Sequence, residues 1–100
     1  TGMGDTLTPW DRGNGVHGAK FIAERRAEDN GCQAANIPVW NNSTPSRHLC
    51  YDYVGCEANY PVKVCTYDGG HQAAPHDAGG GDNGLTSWIP SESWRFFQQF

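Results

Sequence analysis

Two side chains in this sequence carry the types and settings that acid–base chemistry uses: the carboxylate of Asp5 and the imidazole of His71. His71 closes the run Asp68-Gly69-Gly70-His71, which follows a β-prone stretch containing Val62, Val64 and Tyr67. Glycines there let the chain turn sharply past a strand end and deliver the ring onto a loop, where α/β proteins place their sites. An imidazole so placed is the usual proton shuttle for a hydroxyl nucleophile. Asp5 lies in Gly2-Met3-Gly4-Asp5-Thr6-Leu7-Thr8-Pro9-Trp10, where a carboxylate could hold such an imidazole in one tautomer. The simpler role for Asp5 is to cap a turn, and for a loop histidine to be solvated. An acid that precedes a histidine matches the chain order Ser, Asp, His of one hydrolase architecture.

A serine nucleophile is missing from this stretch. No Gly-x-Ser-x-Gly occurs, and Ser43, Ser46, Ser87, Ser91 and Ser93 do not sit on a strand-to-helix elbow. The donors of an oxyanion hole usually come from the residue after that serine and from an earlier loop, so the chain by itself is expected to hydrolyse nothing. Trp10 and Trp88 are candidates to line an aromatic pocket, with packing as their milder role. His76-Asp77 lacks a third ligand at suitable spacing, and neither a metal nor a cofactor is expected.

The elements that must position these groups are short. Residues 14–30 read as a helix, with Asn14 as N-cap, Val16, Ala19, Ile22 and Ala23 on the apolar face, and Asn30-Gly31 as the stop. Arg47 to Tyr53 and Pro61 to Asp68 read as two extended runs joined by a Gly-containing connector, hence an antiparallel pair. Gln72 to Thr86 is Gly-rich with little that is apolar and is expected to be a loop lying over a surface. The chain closes with a short helix entered through Pro90, with Trp94, Phe97 and Phe100 along one stripe that needs a partner surface.

Four cysteines, at 32, 50, 56 and 65, indicate disulfides rather than zinc, since no C-x2-C pair is present. Cys50 and Cys65 fall near matching centres of the two extended runs, which favours that pair and leaves Cys32 for Cys56. Four cysteines allow three pairings, and the other two stay open at this level. Overlapping sequons at Asn41 and Asn42 agree with an exported, glycosylated chain, although such triplets also occur by chance.

A chain of 100 residues with mean hydropathy −0.67 has few aliphatics with which to build a core, and a domain of this size buries only about 60–65% of its unfolded surface. No apolar run approaches the roughly 18 residues of a membrane span. A net charge of −4 with dispersed Lys and Arg offers no face to phosphates, so neither nucleic acid nor membrane is an expected partner. The start at Thr1, without initiator Met or leader, reads as a cut end.

Taken in order, Gly2-x-x-Asp5 with Pro9-Trp10, Asn30-Gly31-Cys32, Tyr53-x-Gly55-Cys56 with Pro61-Val62, Asp68-Gly69-Gly70-His71 and Trp94-x-Phe96-Phe97 resemble the C-terminal part of fungal feruloyl esterases. They are similar also to the related acetylxylan esterases and polyhydroxyalkanoate depolymerase-like enzymes. The resemblance implies an α/β class, the C-terminal portion of an α/β-hydrolase fold with a parallel sheet flanked by helices. It implies that Asp5 is the triad acid and His71 the general base, with the serine on an N-terminal portion of the same enzyme, in the same or a nicked chain. It implies a secreted esterase acting on hydroxycinnamoyl or acetyl esters of plant cell-wall polysaccharide. The family's His-Gly-x-x-Asp segment opens here with Thr1. Cys32 and Cys56 match a pair of the wider family, and Cys50 and Cys65 one of the fungal branch. The alternative from another class is a small disulfide-stapled module whose exposed aromatics stack on sugar rings.

Overall fold

A computed structural model of the protein describes residues 1–11, 13 and 17–100. Strand β1 (His48–Asp52) and strand β2 (Lys63–Tyr67) form where β-branched and aromatic residues concentrate. They pair antiparallel, with Cys50 opposite Cys65 and Tyr51 opposite Val64. That register places the two sulfurs on one face, and the disulfides are Cys50–Cys65 and Cys32–Cys56.

The chain start lies along the other edge of β2. The Tyr67 N–H donates to the Thr1 carbonyl (3.1 Å) and the Met3 N–H to the Tyr67 carbonyl (2.9 Å), which makes a parallel bridge between Gly2 and Tyr67. β2 is therefore flanked by an antiparallel strand on one side and a short parallel segment on the other. Among the described residues the protein is a small α/β structure with short antiparallel ladders, and its parallel pairing is confined to this bridge.

Helix α1 (Ala19–Asp29) starts later than the apolar pattern suggests; Asn14 and Val16 lie outside the described residues. Its first N–H groups are satisfied by neighbouring chain, Ala19 donating to Pro9 (3.0 Å) and Lys20 to Trp10 (2.8 Å). Gly18, the N-cap, is required there, because a Cβ would collide with both of those carbonyl oxygens. The buried stripe is Ala23 and Ala27, four residues apart, and not Ile22, which is 68% exposed. At about 100° per residue, a helix docked through alanines at i and i+4 turns Ile22 away. Ala27 joins Tyr53 and Val62 in the central cluster, with Cys32, Ile37, Tyr51, Cys56 and Val64 packed against it.

The Gly-rich stretch is more ordered than expected. It holds a hairpin of β3 (Pro75–His76) and β4 (Gly79–Asp82). Apolar burial does little there; Asp82 Oδ1 accepts from the Ala74 N–H (2.7 Å) and Asn83 donates to the Ala74 carbonyl (2.9 Å). Glycine's low strand propensity hides such an element from sequence patterns. Helix α2 (Ile89–Phe97), with Pro in its first turn, buries none of its residues. Trp94, Phe97 and the following Phe100 are each more than 60% exposed. Among the described residues no helix is long and apolar enough to cross a membrane.

Candidate active site

Asp5 and His71 each follow one member of the parallel bridge, Asp5 three residues after Gly2 and His71 four after Tyr67. Parallel neighbours share a direction, so the loops that leave them emerge on the same side. The two loops are joined by the Gly4 N–H, which donates to the Gly69 carbonyl (2.9 Å), while the Tyr67 hydroxyl ties down its own loop through the carbonyls of Gly70 (3.0 Å) and Gln72 (3.3 Å). Gly2 is needed for this approach, since a Cβ would overlap the carbonyl oxygens of Gly69 and Gly70.

The result is a hydrogen bond between side chains 66 residues apart: His71 Nδ1 lies 2.9 Å from Asp5 Oδ2. Asp5 is also a turn cap. Its Oδ1 accepts from the backbone N–H groups of Leu7 (2.8 Å) and Thr8 (2.9 Å), while Oδ2 accepts from the Thr8 hydroxyl (2.8 Å) as well as facing the ring. Asp5 therefore caps the turn and also hydrogen-bonds the histidine, with Oδ1 facing the turn and Oδ2 shared between the Thr8 hydroxyl and the ring. The Thr8 backbone N–H above all holds the Asp5 carboxyl well below the usual carboxylate range; burial opposes this, and His71, the Thr8 hydroxyl and the Leu7 N–H add to it. Asp5 is therefore an anion at neutral pH.

With Nδ1 donating to that anion, Nε2 is the acceptor nitrogen of the neutral ring. No described residue bonds Nε2, and the His71 side chain is 60% exposed. A hydroxyl approaching from outside could deliver its proton there. Among the described residues no serine hydroxyl is hydrogen-bonded to His71, and those of Ser46, Ser87 and Ser91 bond the carbonyls of His48, Pro75 and Trp88.

Asp5 and His71 line a cavity of about 490 Å³ between β2 and α2, bounded also by Tyr67, Trp88 and Phe96. Trp88 stacks on His48 at 4.3 Å. Trp10 does not line this space; it borders a separate depression with Lys20, Asn36 and Ile37. Asn41 and Asn42 are exposed, the Asn41 side-chain oxygen accepting from the Ser43 N–H. His48, Cys50 and Glu92 cluster closely enough to suggest metal ligation, but the Cys50 sulfur is committed to its disulfide. Asp77 turns to His48 (2.7 Å) rather than forming a site with His76. Thr8 was not singled out from sequence, although Asp-x-x-Thr is a local hydrogen-bonding pattern that could have found it.

No protein-family model matches the chain. Direct comparison shows 33% identity over 96 residues with a probable feruloyl esterase C of Aspergillus clavatus, covering 96% of this chain and 30% of that protein. Feruloyl esterase C of Emericella nidulans is 32% identical over 98 residues, again 96% of this chain and 30% of the relative. Feruloyl esterase D of Neurospora crassa is 30% identical over 79 residues, covering 79% of this chain and 26% of the relative. The chain spans about 30% of the length of the curated relatives that match nearly all of it.

Proposed function

The chain is feruloyl esterase-like along 96% of its length, and from that premise we propose that it supplies the general base and the orienting acid of a secreted serine carboxylesterase. In this reading residues 1–100 are the C-terminal portion of a single α/β-hydrolase domain whose N-terminal portion carries the serine. The observation that carries it is the 2.9 Å contact between His71 Nδ1 and Asp5 Oδ2, which leaves Nε2 open.

The serine Oγ attacks the ester carbonyl while its proton passes to His71 Nε2, and Asp5 stabilises the imidazolium. Collapse of the tetrahedral adduct expels the alcohol, which takes the proton from Nε2. Water, deprotonated by the same nitrogen, then attacks the acyl-enzyme, and the second collapse returns the proton to the serine. The substrate class follows the names of the relatives: feruloyl, that is hydroxycinnamoyl, esters, and on the sequence resemblance those of plant cell-wall polysaccharide. Two disulfides support an oxidising, extracellular setting. Glycosylation at Asn41 and Asn42 belongs to the same proposal. The similarity to esterases lends no support to a carbohydrate-binding module or to an acetylxylan esterase or depolymerase.

The test joins this chain to its nucleophile-bearing portion and follows release of ferulate from methyl ferulate. His71→Ala should abolish turnover, and a fluorophosphonate should label the joined protein but not residues 1–100 alone. Turnover that survives His71→Ala, or labelling of the chain alone, would refute the assignment.

A further inference from the structure

Thr8 touches both members of the Asp5–His71 pair. Its hydroxyl lies 2.8 Å from Asp5 Oδ2 and 3.4 Å from His71 Nδ1, and its backbone N–H donates to Asp5 Oδ1 at 2.9 Å. We propose that Thr8 is a positioning residue for the base, fixing the carboxylate rotation that points Oδ2 at His71 Nδ1; this rests on the esterase reading above.

A carboxylate offers about four lone-pair directions. Asp5 meets four donors: the Leu7 and Thr8 N–H groups at Oδ1, and the Thr8 hydroxyl and His71 Nδ1 at Oδ2. Its side chain is only 4% exposed, so the acceptor is filled by protein groups. Thr8 bonds both oxygens, Oδ1 through its backbone N–H and Oδ2 through its hydroxyl, which sets the carboxylate plane. The two backbone donors act on Oδ1 only and would tolerate a swing of Oδ2 away from the ring. The hydroxyl gives its single proton to Oδ2 and turns its lone pairs toward the neighbourhood of Nδ1. A ring flip that replaced Nδ1 by Cδ2 would then lose both polar neighbours, so Thr8 also disfavours the wrong face of the imidazole.

The experiment uses the enzyme joined to its nucleophile-bearing portion, with Thr8→Val, Thr8→Ser and His71→Ala. Thr8→Val keeps the shape and removes the hydroxyl; kcat should fall roughly 10- to 100-fold, the effect of one lost hydrogen bond to a charged group, with KM unchanged. Thr8→Ser should restore most of the loss. Independently of turnover, the His71 Nδ1–H proton resonance should be protected in wild type and Thr8→Ser and exchange-broadened in folded Thr8→Val. A Thr8→Val enzyme with wild-type kcat and a protected Nδ1–H would overturn the inference, as would a Thr8→Ser enzyme as impaired as Thr8→Val. In either case loss of turnover in His71→Ala would leave the esterase reading standing. Turnover persisting in His71→Ala would sink that reading instead.

Discussion

The Lys63 ammonium on β2 stands 2.6 Å from Glu92 Oε2 on α2, and both side chains are about 15% exposed. This pair fastens a helix that buries none of its own residues. Around it His48 bonds Asp77 of the β3–β4 turn and stacks on Trp88. One polar cluster therefore ties α2 and the hairpin to the central strands, and α2 bounds the cavity beside His71.

Glu92→Gln should lower stability at pH 7 by roughly 1.5–3 kcal/mol, the value of a hydrogen bond to a charged group. The hydrogen bond from Lys63 pulls the Glu92 carboxyl below its ordinary 4.5, against the opposing effect of burial. A depressed folded pKa stabilises above the unfolded value and loses that contribution as pH falls. Urea midpoints of wild type and variant should accordingly differ at pH 7 and converge as pH drops below about 4.5. A difference that stays constant down to pH 3 would contradict the pairing.

The close approach of Gly2 to the Gly69–Gly70 carbonyls predicts an asymmetry between glycines. Gly2→Ala should cost about 1–3 kcal/mol through overpacking and weaken the His71 contact. Gly70→Ala, whose Cβ meets nothing within 4 Å, should change stability by less than about 0.5 kcal/mol. Thermal melts of the two variants decide it.

Replacing both Cys50 and Cys65 by Ala opens a crosslink spanning 15 residues, for an expected loss of about 3 kcal/mol. The Cys32–Cys56 bond spans 24 and should be worth slightly more, roughly 3.4 kcal/mol by the same loop-closure relation. Denaturant melts of the two double variants should therefore rank in that order, both well below wild type.

On the proposed esterase reading, Asp5→Asn in the enzyme joined to its nucleophile-bearing portion should reduce kcat by roughly 10⁴-fold with little change in KM, because an amide donor no longer fixes the imidazole tautomer. The Asp5 carboxyl is held well below its ordinary 3.8, first by the Thr8 N–H. Its stabilising effect is thus complete above that ordinary value and is lost as pH falls below it. Wild type and Asp5→Asn should show a stability gap that persists at pH 5 and closes in stronger acid. A gap that narrows already between pH 7 and 6 would exclude an ionised, hydrogen-bonded Asp5.

Local chemistry made part of this legible. The extended runs, the cross-strand Cys50–Cys65 pair and the loop delivery of His71 follow from period-2 patterning and glycine placement within a few residues, and the structure has them. The buried face of α1 departs from the hydropathy pattern at Ile22 because hydropathy rewards size, whereas close packing selects the small Ala23 and Ala27. The β3–β4 hairpin was hidden because backbone and Asp82 bonds, not apolar side chains, hold it together.

Residue types alone determined what Asp5 and His71 are able to do: one can carry a negative charge, the other can move a proton. Whether they meet was decided by the parallel bridge between Gly2 and Tyr67 and by the glycines that let the two loops touch. The same tertiary arrangement drew in Thr8 and set Trp10 apart. Charge and titration are properties of a side chain, but a 2.9 Å distance across 66 residues depends on every contact that closes the chain between them.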